Sequence, residues 1–237
     1  MDLKEQSILG HDAKAHWYYR AKSAAMLKML RGAPIDEVLD VGAGSGFFAR
    51  HLLDHTEAAA AICVDPNYDL DHSEIHNGKK LRFARGVRQF GGHLVLMMDV
   101  LEHVPDDAAL LAEYVARVPA GTRFLITVPA MQWMWSEHDV FLEHYRRYSV
   151  RQLDLLMARA GLTRLASCYF FGLALPLAAA VRFGRKILPG RARGGSDMRR
   201  HTALVNWGLW LMCWLELWFF RVNRVGGLSV FALGQKT

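Results

Sequence analysis

The chain has little of what marks a secreted, disulfide-stapled or membrane-spanning protein. Its three cysteines, Cys63, Cys168 and Cys213, are odd in number, scattered and set in apolar segments. That pattern reads as reduced core thiols in a cytosolic setting rather than disulfides or zinc ligands. No repeat or low-complexity tract is visible, and 237 residues suffice for one sizeable core, or one core plus an insertion. Met1 to Gly10 is polar and lacks the basic-then-apolar pattern of a signal peptide. Two apolar runs come nearest to the roughly 20 residues of a spanning helix, the first too short and the second near the lower bound, so spanning is possible but not the expected reading. Cys168 to Val181 is broken at Pro176, and Ala203 to Phe220, eighteen residues long, carries Asn206 and Glu216. No group of ligand residues has convincing metal spacing, so no metal is expected.

Net charge is also missing from most of the molecule. The net charge of +6 comes from 29 basic and 23 acidic residues. Seven of the basic ones, Arg182, Arg185, Lys186, Arg191, Arg193, Arg199 and Arg200, fall within nineteen residues and meet only Asp197; elsewhere 22 basic residues balance 22 acidic ones. A phosphate-bearing partner, an anionic lipid surface or a nucleic acid, would be drawn to that segment and not to the body of the chain.

What the sequence does have is Val38-Leu-Asp-Val-Gly-Ala-Gly-Ser-Gly46: an apolar strand ending near Asp40, a turn with glycines at alternate positions, and a helix opening near Ser45. Such glycines remove the Cβ atoms that would block a ligand and tolerate positive φ, and the helix start aims free N–H groups at it. Ala59 to Asp65 reads as a second buried strand ending in an acid suited to ribose hydroxyls. His93 to Asp99 is a third apolar run, continuing as Val100-Leu-Glu-His-Val-Pro105, and Thr122 to Pro129 is a fourth. Strands ending in polar residues and separated by helix-length stretches predict an α/β fold, a doubly wound, mostly parallel sheet with its site at the strands' carboxyl ends.

Through Val38 to Gly46, Ile62 to Pro66 and Leu96 to Pro105, in order and spacing, the chain resembles the class I S-adenosylmethionine-dependent methyltransferases. The resemblance implies a Rossmann-like methyltransferase fold and S-adenosyl-L-methionine as cofactor. It implies that Asp40, Gly42, Ala43, Gly44 and Gly46 line the methionine end, that Asp65 with Pro66 takes the ribose, and that Asp99, Val100 and Leu101 border the cofactor. Leu81 to Gly86 shows no acid where many relatives bond the adenine amine. A leading helix, from His16 to about Arg31, would cover the cofactor, with Tyr19 or Arg20 approaching its carboxylate or, equally, packing on the sheet.

The segment after the fourth strand is dense in titratable and aromatic groups. A helix from Phe141 would put His144, Arg147 and Tyr148 on one face, with Asp139 approaching from the preceding turn. This predicts His144 as general base, Asp139 as its orienter and Arg147 as substrate clamp, with His138 as substitute base. The alternative is a surface helix sealed by salt bridges. His103 reads as stabilising its own loop. Trp135 to Tyr148 also resembles a bacterial subgroup of these enzymes with a Trp-Ser-x-x-Asp-x-x-x-x-His-x-Arg-Arg-Tyr signature, which implies an acceptor in glycan, lipid or polyprenyl-linked metabolism.

The closing residues, Gly227 to Gln235, are expected to pair with Thr163 to Phe171 as an antiparallel edge hairpin. This divides the chain into a methyltransferase domain, 1–171 and 226–237, and an apolar and basic helical insertion, 172–225. On a helical wheel Trp207, Trp210, Trp214 and Trp218 fall within about 80°, with Glu216 nearly opposite. Tryptophan favours the boundary of hydrocarbon and water, so the insertion is expected to lie on the cytoplasmic face of a membrane, the alternatives being packing on the sheet or a homodimer. The expected acceptor is a small or lipid-like molecule bearing an oxygen or nitrogen nucleophile. A nucleic-acid methyltransferase is the rival, weakened because the aromatics are not interleaved with the arginines; a second rival is a non-catalytic cofactor-binding partner of a membrane enzyme.

Overall fold

The computed structural model describes residues 14–187 and 201–237. Met1 to Gly10 and the basic residues Arg191, Arg193, Arg199 and Arg200 lie outside the described residues. In chain order the elements are α1 (Trp17–Met29), β1 (Glu37–Val41), α2 (Phe47–His55), β2 (Ala60–Val64), β3 (His72–His76), β4 (Lys79–Ala84), β5 (Leu94–Met98), α3 (Asp107–Ala116) and β6 (Arg123–Pro129). They continue with α4 (Glu137–Phe141), α5 (Val150–Arg159), β7 (Leu162–Phe170), α6 (Leu175–Ile187), α7 (Ala203–Glu216) and β8 (Ser229–Lys236).

One eight-stranded sheet runs β3-β4-β2-β1-β5-β6-β8-β7. The strands β4, β2, β1, β5 and β6 are mutually parallel. β8 enters antiparallel between β6 and β7, giving the expected edge hairpin, with Phe170 opposite Ser229 and Thr163 opposite Gln235. The central strands read as continuous apolar runs because both faces are covered. Residues alternate between two cores: Val38, Leu96 and Phe231 face Met26, Phe48 and Leu52 on one side, and Leu39, Val95 and Ile126 face Leu111, Tyr114 and Leu153 on the other. The three cysteines are buried and unpaired.

One hairpin was not anticipated. β3 pairs antiparallel with β4 through a turn at Asn77 and Gly78, whose φ values are +49° and +79°. Asn-Gly is the residue pair that a two-residue hairpin with positive φ at both central positions requires. β3 itself is largely exposed and carries no apolar alternation to announce it.

Among its described residues the insertion forms two α-helices, and one face of α7 packs on α1. The Asn206 amide accepts from Trp17 N at 2.8 Å and donates to Ala15 O at 2.9 Å. Lys28 donates to Leu217 O. Buried Glu216 accepts from Gly172 N at 2.7 Å and Leu173 N at 3.2 Å, tying the end of α7 to the exit from β7. The opposite face is open: Trp207, Trp214 and Trp218 are 55, 41 and 74 % exposed, beside exposed Leu204, Leu215 and Phe219. Among the described residues no helix is long and apolar enough to cross a membrane.

β8 leaves room for nothing at its start. A Cβ on Gly227 would stand 2.3 Å from the Phe170 carbonyl oxygen, a backbone atom held by the β7–β8 ladder. Gly227→Ala must therefore push the two strands apart, and we expect a loss of at least about 2 kcal/mol in urea unfolding.

Candidate active site

β1 ends at Val41, and the chain turns through Gly42, Gly44 and Gly46 at φ +65°, +50° and +69°. α2 opens two residues later than expected, at Phe47, because Gly46 is its left-handed N-cap. The turn is hooked to the neighbouring strand: Gly42 N and Ala43 N both donate to Val64 O, at 2.7 and 3.1 Å. Gly42 is needed for space as well as for conformation, since a Cβ there would meet Val100 Cγ2 at 2.7 Å.

Beside this turn, at the carboxyl ends of β1, β2 and β5, lies an open cleft of about 1050 Å³. Of the residues expected at the cofactor, Gly42, Gly44, Asp65, Pro66, Asp99 and Val100 border it. Ala43 and Leu101 are instead buried in the two cores, and Gly46 faces Phe83 and Cys63. Asn67, Arg85 and Gly86 line one end, and His103, Leu142 and Tyr145 another.

The carboxylates around the cleft are differently placed. Asp65 accepts from Gly44 N at 3.1 Å and Asn67 N at 3.0 Å. Asp40 is buried, and its Oδ2 has no hydrogen-bond partner; burial first, with the charge of Asp65 adding, raises its pKa to about 6. Asp99, at φ +57°, accepts from Thr127 Oγ1 at 3.1 Å and from the buried ammonium of Lys22. Burial alone would raise the Asp99 pKa, but Lys22 outweighs it and holds the carboxyl down. Lys22 is itself pulled down by burial and lifted further by Asp99 and Tyr18, for a net rise.

This corrects the reading of α1. Tyr19 is core, packed on Phe47 and Phe48, and Arg20 lies outside, 4.3 Å over the Trp210 ring. The residue turned toward Asp99 is Lys22, whose ammonium also donates at 3.1 Å to the hydroxyl of Tyr18 one helical turn earlier.

The segment after β6 departs further from expectation. α4 stops at Phe141, and Glu143, at φ +59°, turns the chain out of the helix. His144, Arg147 and Tyr148 therefore do not share a helical face; Tyr148 bridges to Ala130 alongside β6. Asp139 nevertheless gathers the predicted residues. Its carboxylate accepts from His144 Nδ1 at 3.0 Å, Arg147 Nε at 2.7 Å and Arg147 Nη2 at 3.0 Å, and closes a capping box with Ser136. Burial would raise its pKa, but the bonds from His144 and Arg147 hold it well below the usual carboxylate range. Arg147 is spent inside the protein, its Nη1 donating to Ala130 O at 2.9 Å, so its fork is not an open substrate clamp. His138 is half-buried at the adjacent helical position, turned about 100° from Asp139. With Nδ1 facing Asp139, the other His144 nitrogen is left to the His103 side, where the two rings meet edge to face at 4.7 Å.

Glu102 went unnoticed in the sequence. It is fully buried between Leu101 and His103, and neither carboxylate oxygen has a hydrogen-bond partner. Burial first, and then Asp99, hold its pKa well above the usual range.

A mostly parallel sheet with a glycine turn and acids at its switch point is the Rossmann-like architecture of the methyltransferases, and comparison with known proteins agrees. The chain belongs to the methyltransferase-domain family, whose profile matches residues 15–167, more than half of its length. Among solved structures it is similar to a SAM-dependent methyltransferase from Archaeoglobus fulgidus (15 % identity, 98 % of this chain and 97 % of that one, TM-score 0.57). It is also similar to a chain from the complex of the Haloferax volcanii Trm112 methyltransferase activator with a putative methyltransferase (17 %, 94 and 91 %, 0.54) and to a putative sarcosine dimethylglycine methyltransferase from Galdieria sulphuraria (14 %, 93 and 86 %, 0.54). At these identities the likeness is one of fold. A search of curated proteins found no match.

The chain is thus an S-adenosylmethionine-dependent methyltransferase. The residues at the turn fit that cofactor: among the described residues Asp40 Oδ2 and Ser45 Oγ are buried without partners, and bare glycine backbone lies beside the cleft.

Proposed function

We propose that this enzyme methylates an oxygen or nitrogen nucleophile of an amphipathic acceptor, lipid-like or polyprenyl- or glycan-linked, at a membrane surface. The observation that carries the reading is that both helices of the insertion expose large apolar side chains and that one of them, α6, docks on the segment beside the cleft. Phe183 of α6 stacks on Trp133 at 6.2 Å, and Arg182 donates to Met134 O, just ahead of Asp139 and His144. Leu177, Val181 and Phe183 on α6 are exposed, as are Trp207, Trp214 and Trp218 at α7. A patch of this kind is uncommon on a protein that stays in water, and the basic stretch between the two helices suits anionic headgroups.

In this reading Asp40 and the glycine turn hold the methionine end of the cofactor, and Asp65 takes the ribose hydroxyls. Tyr18 and Lys22 replace Tyr19 and Arg20 on the covering helix, acting through Asp99. S-adenosylmethionine, when bound, supplies an electrophilic methyl group on sulfonium, so the protein's task is mainly to align a nucleophile and remove its proton. His144 takes that proton through Nε2, Asp139 fixes the tautomer, and Arg147 positions Asp139.

Two measurements test the proposal. The protein should float with vesicles containing anionic lipid, and joint replacement of Trp207, Trp214 and Trp218 by serine should reduce the bound fraction at least tenfold. Label from methyl-labelled cofactor should then enter the organic phase of a membrane lipid extract. Vesicle binding that is absent, or unchanged in the triple variant, overturns the membrane reading, as does label recovered only in RNA.

A further inference from the structure

Glu102, His103 and His144 form a cluster that the base assignment only partly uses. Each offers one ligand atom, and the three atoms lie within 4.8 Å of one another. Forty residues lie between the last two in sequence, so no spacing motif announces the group. The fold holds them together through backbone: Tyr145 N donates to Glu102 O at 2.7 Å, and His144 N donates to Asp139 O at 2.9 Å.

Two features point to a cation. Among the described residues both oxygens of the fully buried Glu102 carboxyl lack partners, and an isolated buried carboxylate is costly unless a positive charge faces it. The nearby cations are engaged elsewhere, Lys22 with Asp99 and Tyr18, and Arg147 with Asp139. The histidine is also dressed as metal ligands are. His144 turns Nδ1 to a buried carboxylate and leaves Nε2 for coordination, the outer-sphere arrangement that fixes the tautomer of a ligating imidazole.

We propose that Glu102, His103 and His144 bind one divalent transition-metal ion, with His144 ligating through Nε2. Two imidazoles and one carboxylate suit zinc, manganese, iron(II) or cobalt better than calcium or magnesium. Three protein ligands leave at least one position open, as in catalytic rather than structural sites. Bonds of about 2.1 Å require the donor atoms to close to roughly 3.4 Å of one another, a movement of about 1 Å on loading. His103 lines the cleft, so the open position faces the space where the acceptor must meet the methyl group.

This consequence rests on the reading of that cleft as the acceptor's site. There, an acceptor hydroxyl bound to the ion gives its proton to solvent. Its oxygen forms the new bond to the methyl carbon as the carbon–sulfur bond breaks, and the neutral thioether leaves. The loaded ion then takes over the deprotonation assigned to His144, whose lone pair it occupies.

The test is a cobalt(II) titration of chelator-treated full-length protein without cofactor, followed by visible absorption, with zinc as competitor. One equivalent should bind with imidazole-type ligand-field bands, at least tenfold more weakly in Glu102→Gln and in His103→Ala, while melting curves show both variants folded. The neutral glutamine matches the buried carboxyl in shape, so folding should survive even if His103→Ala does not. Absence of a stoichiometric site overturns the proposal. Binding of equal strength in both variants places the ion on other histidines and overturns it too. Because no cofactor is present, either failure leaves the cofactor assignment standing, and a failed cofactor titration leaves the metal site standing.

Discussion

Asp65→Ala should weaken S-adenosylmethionine binding at least 100-fold by calorimetry while leaving the circular dichroism spectrum unchanged. Asp65 stands at the end of β2, only 7 % exposed, with two backbone donors, Gly44 N and Asn67 N, on its carboxylate. Its unfilled acceptor positions border the cleft beside the glycine turn. Two ribose hydroxyls donating to a carboxylate make two charge-assisted bonds of roughly 1.5 kcal/mol or more each, so their loss amounts to about 3 kcal/mol, or about 100-fold in affinity. The substitution also frees Gly44 N, which loosens the turn itself and adds to the loss. Gly44 and the turn remain tied to β2 through Gly42 N and Ala43 N, which is why the fold should survive. Unchanged affinity for the cofactor and for its demethylated product would remove Asp65 from the site.

The second large effect is on stability. Asp139→Ala should cost about 3 to 5 kcal/mol in denaturant unfolding, the range seen when one partner of a buried ion pair is removed. Asp139 is fully buried and Arg147 is 5 % exposed, so the guanidinium left behind has no water to compensate it. The same carboxylate holds Ser136 N at 2.8 Å and His144 Nδ1 at 3.0 Å, so one substitution uncaps α4, releases the imidazole and strands the arginine. Joint replacement of Asp139 by leucine and Arg147 by methionine should be milder than the single change, because no uncompensated charge stays inside. A single variant within about 0.5 kcal/mol of wild type would show that the pair is open to solvent.

The parallel core and the cofactor turn were legible in the sequence for a common reason. Strands buried on both faces must be apolar throughout, and a turn pressed against Val100 and hooked to Val64 must use glycine, so local composition carries the answer. Where the structure differs, long-range docking decided. Nothing within Trp17 to Met29 says which side of α1 meets the sheet; its packing sends Tyr19 to the core and Lys22 to Asp99. A helix through His144 and Arg147 was consistent with spacing, yet Glu143 breaks it because Tyr148 is held by Ala130 and Asp107. The Asn77-Gly78 hairpin was present as a turn signal without apolar alternation beside it. Glu102 went unnoticed because nothing in the sequence beside it shows that its carboxyl becomes fully buried in the folded chain.

Asn206 joins two parts of the molecule that function would otherwise keep separate. Through it α7 grips the first turn of α1, and Lys28 fastens the far end of α1 to Leu217. Between these two anchors sits Lys22, the counterweight to Asp99 at the cleft wall. The tryptophan-bearing helix and the pocket therefore share a strut: α1 carries α7 along one side and on another sets the Lys22 ammonium against Asp99 at the cleft.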